Sequence, residues 1–377
     1  MGSRLGSIVT MNICSIISKL GRLISREMAY TTCRLLSANL DLTYKCNLKC
    51  KMCGLWDKNL KDQGTELTKE ELFDIIDELH ELNVGSITLA GAEPLIRKDI
   101  FHIINYISER NIYSTLITNG TLLNIDMVNS IISSGLNHVI VSIDGPLSIH
   151  DYIRGYGNVF DRATKGIKTL IAEKKQNKLI LSIHCTVSII NVEHLIDLVQ
   201  LCQDWGVDSI SFQYITETPK DKVLNTKIDG KVISSDRFIP RGSSLLLAES
   251  QIPILREQLR LIRTSGFKAS IVWISNLQNN NLIQGTFPVR RCYHVRTNMT
   301  IDPYGNVSPC AHLNEYIIGN VRESSLSEIW RNDKYDFLRK LISRQLFPVC
   351  LNCCHHSSNF TSIQQIRMLL NKGLVFK

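Results

Sequence analysis

Three cysteines within eight residues, Cys46-x-x-x-Cys50-x-x-Cys53, form the densest group in the chain that could do chemistry. Thiolates at this spacing can occupy three corners of a cubane iron–sulfur cluster and leave its fourth iron without a ligand from the segment. Completed by one remote residue, the same group would make a zinc site. A second group follows far downstream: Cys292, Cys310, Cys350, Cys353 and Cys354. Cys292 and Cys310 flank a turn containing Gly305, and Cys350-Leu-Asn-Cys353 comes about 40 residues after Cys310. Four such thiolates can fully ligate one [4Fe–4S] cluster or build a zinc ribbon, and spacing alone leaves both open. Cys14, Cys33, Cys185 and Cys202 read as small apolar fillers.

Eight of twelve cysteines are clustered in a chain of 377 residues. Secreted disulfide frameworks usually occupy short chains with scattered cysteines, so clustering here points to metal ligation in a reducing, cytoplasmic compartment.

The elements that must position these groups alternate in type. Short β-rich runs occur at Asn39–Tyr44, Gly85–Ala90, Ser114–Thr118, His138–Ile143, Leu179–Val187 and Asp208–Tyr214. They read as parallel strands, mostly apolar on both faces and covered by helices. Thr68-Lys-Glu-Glu71 is a capping box that starts a helix bearing Leu72, Ile75, Ile76, Leu79 and Leu82. Helical patterns also cover Ile100–Arg110, Asp126–Ser134, Phe160–Glu173 and Val192–Trp205. Six βα units imply a parallel α/β sheet, wound open or curled into a partial barrel. Residues 217–250, with Pro219 and Pro240, break the rhythm and read as a connection, and a helix is expected at Ile254–Thr264. From Phe287 to His356 short strands and turns follow, among them the Asp302-Pro-Tyr-Gly305 turn.

Composition narrows the function classes. With 44% hydrophobic and 21% charged residues the chain is ordinary globular material. The net charge is 43 − 35 = +8, of which +6 lies in residues 1–60. Such a diffuse surplus does not form the dense basic patch that nucleic acid requires. No apolar run reaches the roughly 20 residues of a transmembrane helix. Residues 1–26 contain Arg4, Lys19, Arg22 and Arg26 with no acid, as in organelle transit peptides. The plainer reading is an amphipathic helix with Ile13, Ile16, Ile17, Leu20 and Leu23 on its apolar side.

The segment Leu42-Thr-Tyr-Lys-Cys-Asn-Leu-Lys-Cys-Lys-Met-Cys53 resembles the cluster loop of the radical S-adenosylmethionine (SAM) superfamily, a resemblance running from about residue 39 to 356. It implies that Cys46, Cys50 and Cys53 hold a [4Fe–4S] cluster whose open iron is chelated by SAM. Further motifs appear in the family's order. Gly91-Ala92-Glu93-Pro94 resembles the Gly-Gly-Glu-Pro segment that binds the SAM amino group, departing from it at Ala92. Thr118-Asn119-Gly120 and Ser142-Ile-Asp144-Gly145 correspond to the methionyl and ribose environment, and Arg154 to a residue reaching the SAM carboxylate. All of them sit where parallel strands end, the usual ligand position of α/β folds.

Cys292, Gly305-x-x-x-x-Cys310, Ile318-Gly319-Asn-Val, Leu326-x-Glu-Ile-Trp330 and Cys350-x-x-Cys353 resemble the SPASM/twitch extension of the same family. That implies one auxiliary [4Fe–4S] cluster held by Cys292, Cys310, Cys350 and Cys353, with Cys354 spare or alternative to Cys353. The expected organisation is an N-terminal helical extension (1–38), a partial (βα)6 parallel barrel (39–216), a connecting segment with a helix (217–284), a cysteine-rich SPASM/twitch-like domain (285–356) and a tail (357–377).

The implied activity is reductive cleavage of SAM to methionine and a 5′-deoxyadenosyl radical, followed by hydrogen abstraction from a substrate. With an auxiliary cluster as electron acceptor, oxidation of the substrate also needs a base within hydrogen-bond reach. Glu217, His184 and Tyr214, near the ends of the fifth and sixth strands, are the candidates. The substrate is a small molecule or a ribosomally made peptide that is crosslinked or epimerised, and the expected partner is a flavodoxin- or ferredoxin-type donor. Only about 38 residues precede the first strand, whereas a peptide-recognition domain would take roughly 80. A zinc-stabilised, non-catalytic binding module is the alternative class.

Overall fold

The structure, a computed structural model, describes residues 24–55, 64–174, 178–234, 236–240, 242–273 and 277–353. Cys14, Cys354, the apolar side of the proposed N-terminal helix and the 357–377 tail lie outside the described residues.

Twelve strands are described: β1 Ser37–Asp41, β2 Ser86–Ala90, β3 Tyr113–Thr118, β4 His138–Ser142, β5 Ile180–Val187, β6 Ser209–Tyr214, β7 Lys227–Ile228, β8 Lys231–Val232, β9 Ser270–Trp273, β10 Asn298–Ile301, β11 Asn306–Ser308 and β12 Gly319–Asn320. All but the β7–β8 hairpin join one sheet, ordered β12-β11-β10-β1-β2-β3-β4-β5-β6-β9. From β10 through β1–β6 to β9 every neighbouring pair is parallel. The C-terminal ends of β2 to β6 line one common cavity, so the sheet curls into an incomplete barrel.

The helices form where the sequence patterns place them. The Thr68–Glu71 capping box starts the Lys69–Glu81 helix, whose Leu72, Ile75, Ile76 and Leu79 are buried. The capping hydroxyl contributes about 1 kcal/mol by satisfying an orphan N–H. Further helices span Ile100–Glu109, Ile125–Ser133, Val159–Lys174, Leu195–Trp205 and Ile252–Thr264. An eight-residue helix, Leu147–Arg154, for which the sequence reading gave no expectation, buries His150, Ile153 and Arg154.

The strands differ from the expected doubly apolar pattern. In β1, β2 and β4 buried residues alternate with half-buried ones. The buried set, such as Ala38, Leu40, Ile87, Leu89, Val139 and Val141, belongs to the main core. The other set carries polar side chains bonded across strands: Asn39 Nδ2 donates to Asn298 Oδ1 (3.3 Å), His138 Nε2 meets Ser182 Oγ (2.7 Å), and His184 Nδ1 meets Ser211 Oγ (2.8 Å). Ser142 and Thr186 of this set line the cavity, and buried polar groups there need partners.

The cysteine-rich segment is joined to the barrel sheet. β10 pairs in parallel with β1, in register Ser37↔Asn298 to Leu40↔Ile301. β10 turns into β11 through Asp302-Pro-Tyr-Gly305, where Asp302 Oδ1 accepts from the N–H groups of Tyr304 and Asn306, each at 2.9 Å. Gly305 has φ +85°, a conformation that favours glycine. Arg322 makes a two-point bond from this segment to Glu71 on the Lys69–Glu81 helix (2.6 and 3.1 Å).

Candidate active site

The cluster-type loop begins where β1 ends at Asp41. Instead of extending the strand to Tyr44, the chain runs beside the segment after β2. Ala92 N–H donates to Thr43 O (2.9 Å) and Glu93 N–H to Lys45 O (3.1 Å). Gly91 makes this approach possible: its φ is +111°, and a Cβ there would lie 2.5 Å from Thr43 O. Ala92, where the sequence departs from the family segment, is not among the described positive-φ residues. The position that demands glycine is therefore the one that has it.

Cys46, Cys50 and Cys53 line a single cavity of about 310 Å³ with Gly91, Ala92, Thr118, Asn119, Ser142 and Arg154. That size lies within the ordinary range of small-molecule sites. Cys46 and Cys53 are half-buried and pack with Leu48, Cys50 and Val159 in a small apolar cluster. Leu48 N–H donates to Cys46 Sγ and Leu55 N–H to Cys53 Sγ, both at 3.4 Å. Arg154 Nη1 donates to Cys50 Sγ at 3.9 Å.

Burial pushes the Cys46 thiol up to about 11, against the opposing Leu48 N–H bond. Burial also raises Cys50, with Arg154 acting in the other direction. Sulfurs gathered in a site that resists negative charge form a donor set suited to metal, since a coordinated thiol is deprotonated outright. Among the described residues no three metal-ligating side chains converge as they would on a single ion. A cubane does not ask for that, because each of its thiolates binds a different iron.

Behind the cavity wall lie the groups that fix it. Glu93 is wholly buried and accepts from Leu95 N–H (3.2 Å), Thr118 Oγ1 (2.8 Å) and Asn119 N–H (2.8 Å), which ties the β2 loop to the end of β3. Burial lifts its carboxyl to about 7, with these bonds and Arg154 opposing. Pro94 is the first residue of the 3-10 turn Pro94–Ile96. Asp144, also wholly buried, pairs with Arg154 at 2.7 Å and accepts from Thr186 N–H at 3.1 Å. Burial works against the Arg154 charge, but Asp144 and Cys50 outweigh it and hold its pKa above the ordinary value. Glu93, Pro94 and Asp144 do not line the cavity; they sit behind residues that do.

Sequence reasoning missed several members. Asn47 accepts from Asn119 Nδ2 (2.9 Å) and donates to Thr121 Oγ1 (2.8 Å), locking the cysteine loop to the β3 end. His150 Nδ1 accepts from Asp144 N–H (3.1 Å), and Asn191 Nδ2 donates to Asp144 O (2.8 Å). Arg237 and Phe238 also line the cavity. Asn47 stood inside the cysteine motif and could have been singled out, whereas Arg237 and Phe238 lie in an irregular stretch with no periodic signal.

The three candidate bases separate. Tyr214 lines the cysteine cavity, and burial raises its phenol well above the ordinary value. Glu217 lines an adjoining cavity, and its two oxygens accept from Ser244 Oγ and Leu245 N–H, each at 2.6 Å, so it anchors the connecting segment. His184 bonds Ser211 within the sheet, and burial lowers its pKa.

In the second cysteine group, burial drives Cys350 well above its usual pKa, with Cys292 and then Cys310 adding to the shift. Cys292 accepts from the Val295 and His294 N–H groups. Cys353 is buried at the end of the 3-10 turn Pro348–Asn352. Asn352 fixes that turn, donating to Gly285 O (2.8 Å) and accepting from Lys222 Nζ (2.8 Å).

The family model described as the radical SAM superfamily matches residues 40–202. The chain belongs to the radical SAM superfamily. A second model, the SPASM iron–sulfur cluster-binding domain, matches residues 292–354. The cofactors of these domains are a [4Fe–4S] cluster with SAM, and auxiliary iron–sulfur clusters. Pre-heme d1 synthase of Dinoroseobacter shibae is 26% identical over 349 residues, covering 88% of this chain and 82% of that protein. PqqA peptide cyclase of Granulibacter bethesdensis is 25% identical, covering 77% and 72%. The fold is similar to that of Streptococcus suis SuiB bound to precursor peptide SuiA, with a TM-score of 0.60 at 18% identity, covering 90% of this chain and 74% of that one. The protein is thus a radical SAM enzyme with a SPASM domain. No helix among the described residues is long and apolar enough to cross a membrane.

Proposed function

We propose that this radical SAM enzyme cleaves SAM reductively and oxidises a substrate held in the barrel lumen. The supporting observation is that Cys46, Cys50 and Cys53 share one cavity with Gly91, Ala92, Thr118, Asn119, Ser142 and Arg154. Cys46, Cys50 and Cys53 would hold the SAM-binding cluster, and Cys292, Cys310, Cys350 and Cys353 the auxiliary one. Bound there, these cofactors supply a 5′-deoxyadenosyl radical that takes a hydrogen atom from the substrate, and an acceptor for the substrate's remaining electron.

The chain's own residues supply position and a proton path. Gly91 and Ala92 would offer close backbone for the SAM amino group, Thr118, Asn119 and Ser142 would bound the nucleoside, and Arg154 would bind the carboxylate. Glu93 and Asp144 hold these groups in place, so a bimolecular encounter becomes an oriented one. For the oxidation to balance, the substrate radical must lose one proton and one electron. Of the candidate groups Tyr214 is the one on the cavity wall, where its phenol, kept protonated by burial, would relay that proton rather than hold it. A flavodoxin- or ferredoxin-type protein of the reducing cytoplasm would deliver the initiating electron.

A second reading, maturation of a ribosomally made peptide by crosslinking or epimerisation, draws on the likeness to PqqA peptide cyclase. It also draws on the adjoining cavity of about 400 Å³, which gives a longer substrate room. Anaerobic reconstitution tests both against a zinc-bound scaffold. The enzyme should carry about eight irons and eight sulfides as two cubanes and form 5′-deoxyadenosine from SAM under dithionite. A colourless, zinc-loaded protein inert to SAM would contradict the proposal.

A further inference from the structure

At the end of the barrel where β1 and β2 begin, a cavity of about 300 Å³ lies between the N-terminal segment and the cysteine-rich one. Arg34 and Leu35, just before β1, line one side, and Leu82, between the Lys69–Glu81 helix and β2, adjoins them. Trp330, Arg331, Asp336 and Arg339 line the other side, from the helices Leu326–Arg331 and Asp333–Arg344. Trp330 Nε1 donates to Cys33 O at 2.8 Å and so joins the two sides. The cysteine cavity lies where the strands finish, and the two cavities share no lining residue.

The wall carries three guanidiniums against one carboxylate, a surplus of two positive charges. That carboxylate is already engaged, since Asp336 Oδ1 accepts from Arg339 Nη1 at 3.0 Å. Arg339 is 4% exposed and lies 4.1 and 4.0 Å from the ring centroids of Trp330 and Tyr335. Its Nε and Nη1 donate to the Val295 and Trp330 carbonyls at 3.2 and 2.8 Å. Its Nη2 is buried and meets no acceptor among the described residues. Buried donors are nearly always paired, and leaving one open on a charged group is costly. Arg34 and Arg331 are exposed, and neither side chain makes a hydrogen bond or ion pair among the described residues. Two solvated arginines alone would be ordinary surface; the buried third, with an open N–H on the same cavity, sets this place apart.

We propose that this cavity is a second binding site, for a phosphate group that is free or carried by a small organic molecule. Arg34 and Arg331 supply two exposed guanidinium forks, and Arg339 supplies a fixed buried charge with a donor to spare. A phosphate dianion offsets the surplus of two charges, and its three or four oxygens serve several guanidiniums at once. A carboxylate offsets half of that surplus and has two oxygens for three guanidiniums. Leu35, Leu82 and Trp330 add an apolar side against which the organic part of a phosphate ester can lie. Arg34 stands outside both stretches matched by the family models, so the site joins a segment particular to this chain to the iron–sulfur domain.

Isothermal titration calorimetry tests it on the anaerobically reconstituted full-length protein, in phosphate-free buffer with SAM filling the first cavity. The probes are inorganic phosphate, phenyl phosphate and benzoate. At least one phosphate should bind at one site per chain and at least about tenfold more tightly than benzoate. Tighter binding of phenyl phosphate assigns the site to a phosphate ester, and equal binding assigns it to the free ion. Arg34→Gln/Arg331→Gln should weaken phosphate binding at least about tenfold, while Arg34→Lys/Arg331→Lys keeps part of it. Phosphate should raise the thermal midpoint of wild type and not that of the Gln variant. Without phosphate the two should melt together, which separates loss of the site from loss of the fold. No binding of either phosphate, equally tight benzoate, unchanged binding in the Gln variant, or a Gln variant that melts earlier in phosphate-free buffer would each overturn the assignment.

Discussion

Asp144 and Arg154 form a buried ion pair at 2.7 Å whose guanidinium also reaches Cys50 Sγ at 3.9 Å. One carboxylate at the end of β4 thereby sets the position of a cation facing the cysteine loop. Its other oxygen and its backbone are held by Thr186 N–H, His150 and Asn191. The pair orients a cavity-lining residue from behind the wall.

Removing one partner should leave a buried charge uncompensated, which typically costs 3–5 kcal/mol. Asp144→Asn should therefore lower the urea midpoint of the protein without cofactors and weaken SAM binding. The double variant Asp144→Asn/Arg154→Met should lose much less than the sum of the two single changes. Additive losses would show that the pair is not coupled.

Gly91 and Ala92 separate conformational need from motif identity. Gly91→Ala puts a Cβ 2.5 Å from Thr43 O at a φ of +111°. Backbone strain of this kind costs roughly 1–3 kcal/mol before the clash is added. The variant should lose SAM affinity by equilibrium dialysis and melt earlier. Ala92→Gly, which restores the usual family residue, should change either quantity little.

The Arg322–Glu71 bond predicts a pH dependence. Arg322 holds the Glu71 carboxyl down at about 2. A depressed folded pKa contributes stability that is present above the unfolded carboxylate value and lost as pH falls toward the folded one. Both side chains are about a third exposed (36% and 32%), so solvent screening discounts the contribution to about 1 kcal/mol. Glu71→Gln should melt below wild type at pH 7, and the gap should close by about pH 2–3. A gap that persists at low pH would assign the loss to the capping box alone.

Much of this architecture was legible because local chemistry dictated it. The Thr68–Glu71 capping box, the spacing of Leu72, Ile75, Ile76 and Leu79, and the Asp302–Gly305 turn each act within a few residues and are visible in the sequence. The polar inner face of the barrel was also written there, in runs such as Ser86-Ile-Thr-Leu-Ala90, but doubly covered strands were expected because the sheet's curl is a property of all its strands together. The pairing of β10 with β1 and the meeting of Arg322 with Glu71 join residues some 250 positions apart, beyond any local period. At the site, Cys46, Cys50 and Cys53 declared themselves by donor type and spacing. Glu93 was legible only as part of the family segment; that its carboxylate instead gathers three donors behind the cavity wall was not, and Arg237 gave no sign.

The auxiliary group makes a separable prediction. Cys350→Ala should remove about four of eight irons while leaving reductive SAM cleavage in place, as measured by iron analysis and 5′-deoxyadenosine yield. Loss of cleavage with full retention of iron would place Cys350 outside the second cluster.

The central claim is that the N-terminal sulfurs form the site where SAM is reduced. The most direct measurement is anaerobic 5′-deoxyadenosine formation with dithionite by the Cys46→Ala/Cys50→Ala/Cys53→Ala protein beside wild type. The account predicts that wild type forms the nucleoside, whereas the triple variant forms none yet keeps about four irons in its C-terminal cluster. Cleavage retained in the triple variant, or absent from fully reconstituted wild type, would contradict it.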